Sequence, residues 1–159
     1  MRLTLYTDYA LRVLTYAGAN AGRLCSVSEI AVAYGISRHH LTKVVHGLGK
    51  GGFLESARGR AGGIRLARPP ATIGVGEVVR HTEDGFALLD CSQCRIASQC
   101  RLTGIFGQAM AAFIAVLDSY TLADLVDRPS ELALLLGGDG GGRLADAIPR
   151  SLVSGKMTG

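Results

Sequence analysis

The stretch that decides the fold is SVSEIAVAYGISRHHLTKVVHGLGK, residues 26–50. Ser26 and Glu29 have the spacing of a capping box, which predicts the start of a short helix. Gly35 ends that helix, and Ser37 caps a further helix that fills the rest of the stretch. Two short helices joined by a three-residue turn form a helix-turn-helix, and the sequence predicts one here.

The second of these helices has two different faces. Its core-facing side is apolar at helical spacing. Its opposite side is basic and polar near the N-terminus, which is what reading the major groove of DNA requires. The residues predicted to contact DNA from this helix are Ser37, Arg38, His39, His40 and Lys43. For the two histidines, base reading, phosphate contact and simple exposure all remain open.

A β-hairpin is predicted next, because apolar residues alternate in 53–56 and 64–66 around a glycine-rich tip. A basic hairpin directly after a helix-turn-helix is typical of a wing, whose arginines bind phosphates or a narrow minor groove. The predicted wing contacts are Arg58, Arg60 and the backbone at Gly62 and Gly63.

The charge of the chain is concentrated in the same region. Residues 36–68 hold seven basic side chains against Glu55 alone, a charge of +6, whereas the rest of the chain sums to −2. Such a window favours a polyanionic partner, most plausibly double-stranded DNA. The alternative is a solvated basic face that binds nothing.

Length and composition limit the number of domains and the class of protein. A chain of 159 residues, 48% of them apolar, fits one domain or one domain with a short extra element. It has no uninterrupted apolar run of about 18 residues, and its N-terminus does not read as a signal peptide. We therefore expect a cytoplasmic protein without a membrane span.

The expected fold is mainly α with one small β-hairpin, a winged helix-turn-helix followed by a long dimerisation helix. Thr7 is expected to cap a first helix that runs to about Ala21. A short helix is expected over 74–82, and apolar residues at helical spacing predict a long helix whose face fits a partner as well as its own domain. The predicted units are a DNA-binding domain over 1–82, a cysteine loop over 83–103, a dimerisation helix over 104–127, and a short helix with a flexible glycine-rich tail over 128–159.

Three cysteines lie close together in DCSQCRIASQC, residues 90–100. Clustered thiolates in a reducing compartment bind metal or sense redox state more often than they form disulfides. Cys91, Cys94 and Cys100 are therefore predicted metal ligands, in a site that either takes a fourth ligand from elsewhere or stays incomplete. The CxxC spacing of Cys91 and Cys94 would also serve zinc. Cys25 stands apart and is interpreted as a buried thiol.

Four separated motifs resemble a known family. They are MRLTLYTDYALRVLTYAG at 1–18, ISRHHLTKVV at 36–45, RGRAGGIRL at 58–66 and LDSYTLADLV at 117–126. Together they resemble the NsrR-like group of the winged-helix, iron–sulfur-cluster transcription regulators, a family that also includes IscR-like and RirA-like proteins. The resemblance covers roughly residues 1–137.

The resemblance implies a homodimeric repressor that binds a palindromic operator and loses DNA affinity when nitric oxide attacks its cluster. It implies one [4Fe-4S] or [2Fe-2S] cluster per subunit, held by Cys91, Cys94 and Cys100 and completed by Asp8 of the partner subunit. The histidine that IscR-like members use is excluded, since Arg101, Leu102 and Thr103 follow the last cysteine. The chain departs from the NsrR-like pattern in having only two residues between the first two cysteines, which leaves the cluster type open.

Other functions remain open at this stage. An iron- or redox-responsive regulator of the RirA type shares the fold, and a zinc-stabilised DNA-binding protein without sensing shares the cysteines. A small iron–sulfur electron carrier would have no use for a helix-turn-helix or a basic wing. No nucleophile–base pair or carboxylate dyad stands out in the sequence, so we do not expect an enzyme.

Overall fold

A computed structural model describes residues 2–59, 62–86, 88–96, 99–128, 131–132 and 135–136. Within these ranges the chain is mainly helical with one antiparallel hairpin, as the sequence predicts. A single 3-10 turn over Pro70–Thr72 separates the hairpin from the later helices. The elements in chain order are α1 (Leu5–Ala19), α2 (Val27–Tyr34), α3 (Arg38–Lys50), β1 (Leu54–Ala57), β2 (Gly63–Leu66), α4 (Val75–Thr82), α5 (Leu102–Asp118) and α6 (Leu122–Leu125).

The helix-turn-helix is confirmed. The Ser26 side chain accepts a hydrogen bond from the Glu29 N–H at 3.0 Å and so caps α2. Gly35 ends α2 in the left-handed region, with φ of 63°, where a glycine avoids the steric cost that a Cβ would bring. The Ile36 N–H then donates to the Ala31 carbonyl at 3.0 Å, and this bond closes the turn before α3.

Helix α1 begins one turn earlier than predicted. Thr4, not Thr7, is its N-cap, and the Thr4 hydroxyl accepts a hydrogen bond from the Thr7 N–H at 3.3 Å. The prediction that Thr7 caps the helix was wrong because two threonines stand three residues apart and the earlier one takes the capping position. Thr7 lies inside the helix and is fully buried. The helix also ends at Ala19 rather than Ala21.

Helix α1 lies at the centre of the molecule and packs against α2, α3, α4, α6 and β2. One hydrophobic core runs through residues 2–82 and reaches α6. Its buried side chains come from nearly every element before the cysteines, which explains why the helix-turn-helix and the wing hold a fixed relation. The largest of them are Phe53, Leu14, Ile30, Leu41, Leu48, Ile73 and Leu122.

The hairpin pairs Leu54 with Leu66 and Ala57 with Gly63. Cys25 forms an isolated antiparallel β-bridge with Ile64 of β2. Its N–H donates to the Ile64 carbonyl at 2.9 Å, and its carbonyl accepts from the Ile64 N–H at 2.8 Å. A side chain at Gly63 would put its Cβ 2.7 Å from the Cys25 carbonyl oxygen, so this close approach requires glycine. Cys25 is fully buried, as expected, and burial raises the pKa of its thiol.

The long helix expected over 104–127 is two helices, a correction to the predicted unit. Helix α5 ends at Asp118, and Thr121 caps the short α6 through a capping box with Asp124. The chain turns here because its backbone pairs with the segment before α4. The Val75 N–H donates to the Tyr120 carbonyl at 2.9 Å, and the Leu122 N–H donates to the Ile73 carbonyl at 2.8 Å.

The predicted glycine-rich tail lies outside the described residues from 137 onward. Before it, Glu131, Leu132, Leu135 and Leu136 have helical conformation. In the part of the chain that the structure describes, no helix is long and apolar enough to cross a bilayer.

Candidate functional site

The N-terminal half of α3 presents a basic surface. Ser37 occupies the N-cap position, but its side chain makes no capping hydrogen bond and is therefore available to another partner. Arg38, His39, His40 and Lys43 follow and are all exposed. Among the described residues no carboxylate forms an ion pair with Arg38 or Lys43. The opposite side of the helix buries Leu41, Val44 and Leu48, as predicted.

Not every basic residue of the +6 window is free. Arg65 pairs with Glu55 across the hairpin, and Arg68 pairs with Glu77 of α4. Arg68 also donates to the Thr72 carbonyl at 2.7 Å and lies 5.3 Å from the centre of the Phe53 ring. These two arginines hold the wing and the following segment together, so the positive charge left for a polyanion is smaller than the sequence count.

In the wing, Arg58 is exposed and has no acidic partner among the described residues. Arg60 lies outside the described residues. Gly62 has the same need for glycine as its neighbour, since a Cβ there would lie 2.5 Å from the Ala57 carbonyl oxygen. Both glycines thus have a packing reason to be present, in addition to any contact between their backbone and DNA.

The start of the cysteine loop is tied to the start of α1. Glu83 Oε1 accepts from the Thr4 N–H at 2.8 Å and from the Thr4 hydroxyl at 3.0 Å, and it also pairs with the Thr7 hydroxyl. The Thr7 hydroxyl lies 2.9 Å from that of Thr82, which in turn donates to the Val78 carbonyl. We call Thr4, Thr7, Thr82 and Glu83 the Glu83 junction.

The junction gives Glu83 an electrostatic reason to stay ionised. Partial burial raises the pKa of its carboxyl, but hydrogen bonds from Thr7 and Thr4 outweigh that effect and bring the pKa below its ordinary value. The carboxylate also lies at the N-terminus of α1, where the helix dipole favours negative charge. The first residue of the loop is therefore anchored to the helix that packs on α3.

Asp8 lies on the surface of α1, one residue after the buried Thr7. Both of its carboxylate oxygens are 3.0 Å from Nε of Arg12, one helical turn further on. Tyr9, next to Asp8, stacks on the ring of His40 in α3, with ring centroids 6.4 Å apart. The surface around Asp8 is thus in direct contact with the basic helix.

The three cysteines lie on a loop whose described residues form neither helix nor strand. Cys91 and Cys100 are half-buried and Cys94 is exposed, and all three thiols are free. The Cys94 N–H donates to the Cys91 carbonyl at 3.2 Å, so the pair spans one tight turn. Cys91 Sγ is 3.5 Å from the Thr103 hydroxyl at the start of α5.

The donor chemistry fits a thiolate-bound metal group, because soft iron–sulfur and zinc centres prefer such ligands. The geometry of one chain is incomplete, since no three His, Cys, Asp or Glu side chains converge on a metal position among the described residues. Asp8 in particular is held by Arg12 and does not join the thiols of its own chain.

Sequence reasoning missed the Glu83 junction and the engagement of Asp8 by Arg12. The second had a readable signal, because Asp and Arg four residues apart on a helix face commonly pair. The junction joins residues nearly eighty positions apart. Its only local sign was a threonine on the inward face of α1.

Comparison with known proteins supports a regulator. Residues 3–128 match the model of the Rrf2 family, described as iron-dependent transcriptional regulators. The chain is 47% identical over 142 residues to the HTH-type transcriptional regulator NsrR of Geobacillus kaustophilus, covering 86% of this chain and 97% of that protein. It is 46% identical to the protein of that name from Bacillus subtilis, again covering 86% and 97%.

Solved structures agree with the sequence matches. The fold resembles T. potens IscR with a TM-score of 0.67 and 27% identity, covering 83% of this chain and 90% of that one. It also resembles CymR, the global cysteine regulator of B. subtilis, with a TM-score of 0.65 and 26% identity, covering 80% and 97%. The likeness to these structures confirms the predicted winged-helix fold. The relatives are transcriptional regulators and not enzymes, which confirms the predicted class of function. The chain belongs to the Rrf2 family of transcriptional regulators.

Proposed function

We propose that the protein is a homodimeric repressor whose affinity for a palindromic operator is controlled by an iron–sulfur cluster that reacts with nitric oxide. The observation that carries this proposal is the Glu83 junction. Through it, a loop with three free thiols is hydrogen-bonded to the helix that carries Asp8 and packs against α3. The names of its relatives and their iron-dependent family support it.

The DNA interface is formed by α3 and the wing. Arg38 and Lys43, free of carboxylate partners among the described residues, are suited to guanine edges in the major groove. Arg58 is suited to phosphate, since it projects from a glycine-rich hairpin beside that helix. Binding to a palindrome requires two copies of α3 at the spacing of the operator half-sites.

Helix α5 is the proposed dimer interface. Among its described residues only Met110 is buried, although the helix is strongly apolar. Ile105 and Val116 are each 59% exposed, which is costly for large apolar side chains unless another surface covers them. A second copy of the chain is the proposed occupant, because the proposed site also needs Asp8 from that copy.

Cys91, Cys94 and Cys100 would hold the cluster, and the partner subunit's Asp8 would complete it. When bound, the cluster supplies iron that reacts with nitric oxide. The protein supplies the coupling, because each chain ties its own loop to α1 through Glu83 and lends Asp8 to the other loop. Tyr9 then carries a displacement of α1 to His40 of α3. A coupling of about 1–3 kcal/mol would change operator affinity by about five- to 150-fold.

The test is anaerobic purification followed by an absorption spectrum and by iron and sulfide analysis. Operator binding is then measured with and without nitric oxide, on DNA selected from a random library by the loaded protein. Cys94→Ser should lose the cluster and the nitric-oxide response, whereas Cys25→Ala, a matched control outside the loop, should retain both. A protein whose DNA affinity ignores nitric oxide would contradict the proposal.

A structural zinc site is the second candidate, because the tight Cys91–Cys94 turn also suits zinc. It predicts a colourless protein that contains zinc and lacks sulfide. An iron-responsive regulator of the RirA type predicts a coloured protein whose DNA affinity follows iron supply more strongly than nitric oxide. The same samples therefore distinguish all three functions.

A further inference from the structure

Arg12 forms an ion pair with Asp8, whose carboxylate the proposed metal site needs. Its Nε lies 3.0 Å from each oxygen of Asp8 and donates to them, so the single chain leaves neither oxygen free of a cation. A carboxylate that binds a metal must direct an oxygen lone pair at it, and a guanidinium at the same oxygens opposes this in space and in charge.

Arg12 is itself held in place from a second direction. Its guanidinium carbon lies 5.6 Å from the centre of the Tyr34 ring, within the range of a cation–π contact. Burial raises the pKa of Tyr34 to about 12, so the ring stays neutral and keeps its attractive face. Tyr34 is the last residue of α2 and packs edge-on against Tyr16 of α1. Arg12 is therefore poised beside Asp8 rather than free to move away.

We propose that Arg12 competes with the cluster for Asp8 and so sets how readily the cluster is released. The inference rests on the proposed function, in which Asp8 completes the site of the partner subunit. When the bond between Asp8 and the partner subunit's cluster weakens, Arg12 forms its ion pair with the carboxylate again, and this pairing opposes renewed binding of Asp8 to the cluster. Arg12 is a positioning residue in this role, because it acts through Asp8 and does not bind the metal group.

The effect should be modest, because the pair is accessible to solvent. The Arg12 and Asp8 side chains are 44% and 42% exposed, and exposed pairs are screened by water and salt. We therefore expect Arg12→Gln to slow cluster release by about two- to fivefold. Arg12→Lys keeps the charge as a compact ammonium and should release at close to the wild-type rate.

The experiment loads the wild type, Arg12→Gln and Arg12→Lys anaerobically with iron and sulfide, and follows iron transfer to an excess of chelator. The same Arg12→Gln change is repeated in an Asp8→Ala background, where it should have no effect because the contested group is gone. Thermal unfolding of the cluster-free variants provides a separate readout of general structural damage, which is expected to be small.

Equal or faster release from Arg12→Gln would overturn this inference, as would a slowing that persists in the Asp8→Ala background. Failure of the proposed function is distinguishable from these results. A wild-type protein that binds no iron and sulfide, or an Asp8→Ala variant that releases iron as slowly as the wild type, would overturn the proposed role of Asp8 and this inference with it.

Discussion

The DNA-binding unit and the cysteine loop are held by different kinds of interaction. The former, residues 2–82, contains most of the buried apolar side chains and a hydrogen-bonded hairpin. In the loop, residues 83–101, no described side chain is fully buried, and the backbone bonds are local turns. A region with its own core keeps its shape without a ligand, whereas a region without one depends on what it binds.

The two regions meet at the Glu83 junction. Thr7 belongs to the core of the first region, and Glu83 is the first residue of the second. Among the described residues, side-chain hydrogen bonds therefore join the ordered unit to the thiol-bearing loop only at this junction. This arrangement lets a change in the loop reach α1 without requiring that the core rearrange.

The largest expected effect is a loss of stability from a substitution in the core of the DNA-binding unit. Phe53 is 2% exposed and packs against His81 and Arg68, so Phe53→Ala should lower the free energy of unfolding by about 3–5 kcal/mol. Cys94→Ser, in the exposed loop, should change it by less than about 0.5 kcal/mol. Denaturant unfolding of cluster-free protein followed by circular dichroism measures both. A comparable loss from Cys94→Ser would mean that the loop is part of the folded core.

The same contrast explains what the sequence could predict. The helix-turn-helix and the wing carry local signals, such as the capping serine and Gly35, and these predicted where α2 begins and ends and where the hairpin lies. The start of α1 was misplaced because two threonines offered competing caps. The break after α5 was missed although Thr121 and Asp124 have the spacing of a capping box, because it also depends on backbone pairing with the distant Ile73.

The site was predicted unevenly for a related reason. The identities of the thiols and of the basic residues could be read directly. What surrounds them depends on contacts between distant segments, as with Glu83, or on a second chain, as with the proposed Asp8 ligand. A single sequence carries no periodic signal for either, so the resemblance to a family had to supply the ligand set.

A smaller effect is expected where the two regions join. Because the pKa of Glu83 lies below its ordinary value of 4.5, the folded protein binds that proton less readily than the unfolded chain. The stabilisation by Glu83 is therefore complete above about pH 4.5 and is lost as the pH falls through the lower pKa of the folded state. Glu83→Gln should cost about 1 kcal/mol at neutral pH, since the group is partly exposed.

The measurement is thermal unfolding of cluster-free protein between neutral pH and the acid limit of folding. The gap between wild type and Glu83→Gln should shrink as the pH falls. Asp84→Asn is the matched control, because Asp84 is exposed and makes no hydrogen bond among the described residues. A gap that stays constant with pH would show that the carboxylate charge does not contribute.

The smallest effect concerns two arginines of the wing that the structure places in different situations. Arg58 is exposed and unpaired among the described residues, whereas Arg65 is engaged by Glu55. If Arg58 binds a phosphate, Arg58→Ala should weaken binding to all DNA sequences alike. It should also make the fall of log affinity with log salt less steep, by about one unit of slope. Arg65→Ala should change the slope less, because its charge is already balanced within the hairpin.

Equal slopes for wild type and Arg58→Ala would remove Arg58 from the interface. A larger change from Arg65→Ala would mean that the ion pair with Glu55 opens when DNA binds, so that the charge of Arg65 also contributes to the interface.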